Sequence, residues 1–281
     1  EDHYFMTTTT ANAVKVMQHL EFCEQVLWPE LDVQMVSVTE QWAQYAVAGP
    51  RARDVVQAIV DSAHDISNEA FPYLACGEVT ACGGIPARLY RLSFSGELAF
   101  EVGVPAQYGD ALIRAILQAG AAYGIAPYGT EALGVLRIEK GHPAGAELNG
   151  QTTAHDLGMG KMLSAKKDFI GRYMAGRSAL TDASRLTLVG LRPLNREDRF
   201  RAGAHLIPKD AEPVAANDQG HVTSIAFSPS LGHWLGLGLL AQGPARHGEI
   251  VRAYDPVRGG DVLVEVRPPC FIDPEGERLR V

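Results

Sequence analysis

From residue 186 to residue 267 the chain breaks into short apolar runs, at 186–191, 203–207, 221–227, 235–240, 249–254 and 261–267, separated by Gly, Pro and Asp. Runs of this length cannot bury a core as isolated hairpins. Their number and spacing predict strands of a small β-barrel. The Ser, Thr, Asp and Ala residues of 177–186 precede the first run and mark a shift in composition. The expected division is therefore residues 1–180 as one region and residues 181–281 as a C-terminal β-barrel.

The first region alternates between helical and extended patterns, which makes it α+β. Residues 3–8 alternate weakly like a strand, and Val14, Met17, Leu20 and Cys23 recur at helical spacing until Trp28-Pro29 ends the run. Residues 33–38 and 43–48 predict paired strands, and Gly49-Pro50 turns the second into a helix over 51–60. A hairpin is expected over 87–104, folded at Phe94-Ser95-Gly96-Glu97, followed by an amphipathic helix over 107–123 that carries Leu112, Ile116 and Ala119. Between 141 and 176 glycine and polar residues dominate without strong periodicity, as in a binding loop.

Composition narrows the function. With 281 residues, 46% of them hydrophobic and 21% charged, the chain can bury a substantial core. A net charge of -8 and a pI near 5.6 argue against nucleic acid or an anionic membrane as the main partner. The most apolar run, residues 231–240, is far short of the ~20 residues that span a bilayer, so no membrane segment is expected. Cys23, Cys76, Cys82 and Cys270 are scattered without a Cys-x-x-Cys pair, which suggests neither a zinc site nor a disulfide framework and fits a reducing cytoplasm. No Gly-x-Gly-x-x-Gly opens a helix, no two-His spacing supports a metal, and no Gly-x-Ser-x-Gly elbow occurs. Lys161 to Lys167 is a local basic spot suited to a small anion. The opening Glu1-Asp2-His3-Tyr4-Phe5-Met6 reads as a chain entered in mid-strand, hence as N-terminally truncated, with an apolar surface left exposed.

The segment from Tyr128 to Gly141 is the candidate site. Thr130 can cap the first turn, Leu133 and Leu136 supply an apolar stripe, and Gly141 stands where helices exit. Glu139 then lies at the helix C-terminus, where a negative charge opposes the macrodipole. If it faces inward, another group must offset that cost.

Leu136-Arg-Ile-Glu-Lys-Gly-His-Pro-Ala-Gly-Ala-Glu-Leu148, with Gln151-Thr-Thr153 and Lys167-Asp-Phe-Ile-Gly-Arg172, resembles the signature of the folate-binding aminomethyltransferases, the glycine cleavage T-protein family. The resemblance extends to Gly220-His-Val-Thr-Ser224 and to Ser228-Pro-Ser-Leu231, and covers almost the whole chain. It implies a T-protein-like fold, mixed or antiparallel sheets with helices, followed by the small barrel. It also implies that tetrahydrofolate is the cofactor and that Glu139 binds its pteridine. Adjacent pterin N–H donors suit a carboxylate that accepts from both in a fork. Phe94 and Glu97 lie in a segment similar to the family's Tyr-Thr-Gly-Glu motif, with Phe94 in the place of the tyrosine, where its ring can pack on the ligand. Lys167, with Lys166 beside it, stands where T-proteins place a basic residue that holds a carboxylate of the folate tail. A lysine supplies a point charge there without a bidentate fork. Tyr128, at the head of the motif helix, completes the candidate set.

Within the family, Phe5 to Asn12, residues 26–31, Gly141-His-Pro-Ala-Gly145, Gly232-His-Trp234 and Tyr254 to Gly260 resemble the C-terminal region of the alpha subunits of heterotetrameric sarcosine oxidases. That branch implies an oxidoreductase complex in which the imine from sarcosine oxidation meets tetrahydrofolate and yields glycine and 5,10-methylenetetrahydrofolate. FAD, FMN and NAD are then expected elsewhere in the complex, with the other subunits as partners. The family's catalytic aspartate falls before residue 1, so no catalytic residue is assigned and the isolated chain is expected to be inactive. The alternatives are an aminomethyltransferase of glycine cleavage or dimethylglycine dehydrogenase type, and a folate-binding module without turnover.

Overall fold

The computed structural model describes residues 3–281. In the first region, β1 (Trp42–Ala48), β2 (Cys76–Ala81), β3 (Ile85–Tyr90) and β4 (Ala99–Pro105) form an antiparallel sheet in the order β1-β4-β3-β2. Period-2 alternation gives the sheet two unlike faces. Phe100, Val102 and Val104 of β4, with Leu89 of β3 and Val47 of β1, pack against Val55, Val56 and Ile59 of α2 (Ala52–Ile59) and Leu112 and Ile116 of α3 (Gly109–Gly120). The alternate residues Gln44, Arg88, Tyr90 and Glu101 belong to the opposite, more polar face.

Three local expectations change in three dimensions. Residues 33–38 form no strand: Val33 and Val36 are exposed, so nothing buries that run, and β1 pairs with β4 through Trp42↔Pro105 to Ala48↔Ala99. Residues 3–8 form no ladder either. There the Arg88 guanidinium lies 4.0 Å from the ring centre of Phe5 and 4.1 Å from that of Trp42, a pair of cation–π contacts that anchors the segment. Strand β2, unmarked in the sequence, pairs with β3 from Cys76↔Tyr90 to Ala81↔Ile85. The first helical run comprises α1 (Ala13–Phe22) between a short 3-10 turn and a π turn. It leaves Val14, Phe22, Val26, Leu27 and Trp28 exposed. Among the described residues no helix is long and apolar enough to cross a membrane.

The six runs of the second region become β5 (Leu186–Pro193), β6 (His205–Pro208), β7 (Gly220–Ser228), β8 (His233–Ala241), β9 (Ile250–Asp255) and β10 (Gly260–Arg267). They close as a barrel in the order β10-β5-β8-β7-β6-β9. Strand β8 shows how the sequence builds both of its surfaces. Leu235, Leu237 and Leu239 join Ile138 of α4 (Thr130–Lys140) in an apolar cluster outside the barrel. Gly236 and Gly238 alternate with them, and a Cβ there would stand 2.8 Å from the Phe200 ring and 2.9 Å from Leu191. Phe200 and Leu191 belong to the other cluster of the barrel, with Leu206, Val222 and Val251, so the glycines leave room for that packing. A bulge between Val222 and Ser224 of β7 sets Thr223 and Ser224 against one residue of β8, and Ser224 reaches α4.

Candidate functional site

Helix α4 ends where the motif predicts. Gly141 has φ of 76°, a left-handed cap, and a Cβ there would lie 2.6 Å from the Pro269 carbonyl oxygen. His142 N–H donates to Arg137 O at 2.8 Å, while Phe271 N–H and Ile272 N–H donate to Glu139 O at 2.8 and 3.1 Å. The tail after β10 thus caps the helix. At the other end Thr130 is not the cap: Gly129 occupies that position and no side chain bonds the first turn. Thr130 already lies inside the helix, so its hydroxyl is one residue too late.

Four motif side chains hold this end of α4 in place. Glu139 is 4% exposed, and the hydroxyl of Ser228, itself fully buried, donates to its Oε1 at 2.5 Å. Arg137 donates to Glu147 Oε2 at 3.1 Å and to Ser224 Oγ at 2.7 Å. Glu147, fully buried, also accepts from Ser224 Oγ at 2.6 Å and from Ala144 N–H at 2.9 Å. Lys140 pairs with Asp273 at 2.8 Å, both nearly enclosed. Burial works to raise the Asp273 pKa, but Lys140 and the N–H groups of Glu277 and Arg278 outweigh it and leave the carboxyl below its ordinary value.

The hairpin tip closes over the same place. Gly96 abuts the Lys140 chain, where a Cβ would stand 2.9 Å away, and the His142 Nδ1 lies 3.0 Å from Phe94 O. The Phe94 and His142 rings stack at 5.8 Å between centres with 22° between planes, and Phe94 stays 41% exposed. Burial lowers the His142 pKa, against the opposing pull of the Phe94 carbonyl, so the ring favours its neutral form.

Not all candidates gather here. Glu97 reaches the neighbourhood, but its carboxylate is bound by Arg278 at 2.6 Å, a residue 181 positions away that the sequence reading did not connect to it. Tyr128 precedes the opposite end of α4, and the rise of 1.5 Å per residue separates it from Glu139 by about 16 Å. It lines a different cleft of about 630 Å³ along edge strand β1, with Tyr45, Val47, Ile116, Tyr123 and Leu133. Burial raises its phenol pKa, and Glu101 adds to the shift. Lys166 and Lys167 are exposed, with their backbone N–H groups donating to Ser164 Oγ. Among the described residues no hydrogen bond or ion pair ties either ammonium to the end of α4. No group of three or more His, Cys, Asp or Glu among the described residues could hold a metal.

Sequence reasoning missed Ser228, Ser224, Arg137 and Glu147 as members of the assembly. Each stood within a motif already singled out, and only their mutual contacts were absent from view. The junction offers a buried acceptor, flat rings and an enclosing barrel. Chemically, a buried carboxylate with unused acceptor capacity beside an exposed ring can accept N–H donors from a ligand.

An α+β region whose helix α4 is clamped to a six-stranded barrel defines a two-part fold, and its sequence signatures agree. The GCVT N-terminal domain signature matches residues 1–167 and the glycine cleavage T-protein C-terminal barrel domain matches residues 187–273. The chain belongs to the glycine cleavage T-protein family. It is 51% identical over its whole length to the sarcosine oxidase subunit alpha of Rhizobium meliloti (strain 1021), and 42% identical over 99% to that of Corynebacterium sp. (strain U-96). It spans 28% and 29% of the lengths of those two relatives. It is 31% identical over 74% of its length to an aminomethyltransferase of Caldanaerobacter subterraneus, covering 53% of that protein. Among solved structures, the glycine cleavage system aminomethyltransferase T from Bartonella henselae superposes with a TM-score of 0.74, over 94% of this chain and 67% of that one, at 24% identity.

Proposed function

We propose that this chain binds tetrahydrofolate at the junction of the hairpin tip, the end of α4 and the barrel, as a one-carbon transfer region of a larger sarcosine-oxidising protein. The observation that carries the reading is the state of Glu139. It is a nearly buried carboxylate with one oxygen held by Ser228, while Oε2 accepts no hydrogen bond from the described residues. Among the described residues the enclosed side-chain atoms without a partner are Arg88 Nη1, Arg91 Nε and Thr223 Oγ1, and Glu139 Oε2 is not one of them. A buried carboxylate with free acceptor capacity matches the adjacent N–H donors of a pterin edge. Phe94 offers the exposed part of its ring to a flat ligand, with about 1 kcal/mol beyond burial from ring geometry. Lys166 and Lys167 would meet the carboxylate tail as solvent-screened charges. Bound tetrahydrofolate would supply the amine nitrogens that take up the one-carbon unit. The chain's own groups hold, orient and shield it. Similarity to the sarcosine oxidase alpha subunits supports an imine from sarcosine oxidation as the donor, with the flavin and nicotinamide cofactors and the remaining subunits elsewhere in the complex.

Isothermal titration with folinic acid, beside Glu139→Gln, tests this reading. The substitution keeps the shape and replaces one acceptor oxygen by an NH₂ donor, so affinity should fall by on the order of tenfold or more. Equal binding by the two proteins, or none by the unsubstituted chain, would refute it.

A further inference from the structure

We infer that Ser228 is a positioning residue that sets the plane of the Glu139 carboxylate and so makes the barrel a part of ligand recognition. The inference rests on the folate reading above. Ser228 is fully buried at the end of β7, and its Oγ accepts from Leu231 N–H at 3.0 Å. With a lone pair so occupied, the hydroxyl proton is directed to Glu139 Oε1, 2.5 Å away. The serine is held by its turn as well, since Gly232 N–H donates to its carbonyl at 2.8 Å. The Glu139 backbone is fixed independently, through the bonds from Phe271 and Ile272 to its carbonyl.

A carboxylate at the end of two sp³ torsions and one broad sp²-terminated torsion has a poorly defined plane unless a partner fixes it. Ser228 occupies one of about four lone-pair positions on the carboxylate and leaves the others to a ligand. A fork of two parallel N–H bonds demands that plane, because the strength of such a pair depends on both donors meeting both oxygens in register. A single N–H bond tolerates rotation and makes no such demand. Loss of the hydroxyl should therefore reduce the advantage of a ligand that offers two adjacent donors over one that offers fewer, and should leave simple burial of the ring system unchanged.

The experiment titrates the full chain with folinic acid and with a 2-desamino folate analogue, which lacks the exocyclic donor, using the unsubstituted protein, Ser228→Ala and Glu139→Gln. For Ser228→Ala the expected result is a loss on the order of tenfold for folinic acid and less than twofold for the analogue. A purely structural serine would, on removal, weaken both ligands equally, and that outcome overturns the inference, as does folinic acid binding unchanged by Ser228→Ala. If Ser228→Ala fails to fold, Ser228→Cys keeps the volume with a weaker donor and is read by the same ratio. No binding of folinic acid by the unsubstituted chain, or binding unaffected by Glu139→Gln, overturns the folate reading and the inference with it. A Glu139 effect without a Ser228 effect overturns the inference alone.

Discussion

Removing Glu147 should break the chain's main polar clamp between α4 and the barrel. Its carboxylate is fully buried and takes three hydrogen bonds, from Arg137, Ser224 and Ala144 N–H. The Arg137 side chain is only 13% exposed, so Glu147→Ala leaves a nearly enclosed guanidinium without its counter-charge. Breaking a buried pair from one side costs about 3–5 kcal/mol, most of it the uncompensated charge. Glu147→Gln keeps the volume and can still accept from one or two donors, so about 1–3 kcal/mol is expected. Replacing both partners, as Arg137→Met with Glu147→Leu, removes the stranded charge and should be much less harmful than the sum of the single changes. Urea unfolding followed by tryptophan fluorescence and by circular dichroism reads these proteins beside the Arg137→Met and Glu147→Leu single variants. A loss below about 1 kcal/mol for Glu147→Ala, or a double variant as unstable as the added singles, would show that the enclosed pair is not what joins the two regions.

Two glycines of the same motif should respond with opposite signs. Gly141→Ala meets a left-handed φ and the Pro269 carbonyl, and should destabilise by at least about 1–2 kcal/mol, whereas Gly134→Ala, inside α4 with open space at its Cβ, should stabilise by up to about 1 kcal/mol; urea midpoints decide it. Acid should loosen the site in two stages. The His142 pKa is depressed, so its contribution is present above the ordinary value of 6.5 and is lost as the pH falls below it, and His142→Gln should remove that stage from a plot of stability against pH. Asp273 is also depressed, so the Lys140 pairing holds above about the ordinary 3.8 and fails only at lower pH, with Asp273→Asn abolishing the second stage.

Local chemistry alone determined much of this molecule. The six barrel strands, the helix from Thr130, its glycine stop and the carboxylate at its end follow from turn residues, side-chain period and cap geometry, all of which act over a few residues. The family signature marked Glu139 and Phe94 for the same reason that it is short and contiguous. Tertiary structure decided which groups those residues meet. Ser228 finds Glu139 across 89 positions, Arg278 takes Glu97 across 181, and Asp273 takes Lys140 across 133. Nothing in the local pattern could choose these partners, because ion pairs and buried hydroxyls carry no periodicity. Residues 33–38 show the converse: their apolar pattern was adequate for a strand, yet a strand also needs a buried face, and Val33 and Val36 stay exposed while β1 remains the edge of its sheet. Tyr128 and Glu139 stand eleven positions apart in one motif, and the rise of the helix between them holds them about 16 Å apart, so a contiguous signature does not make a single site.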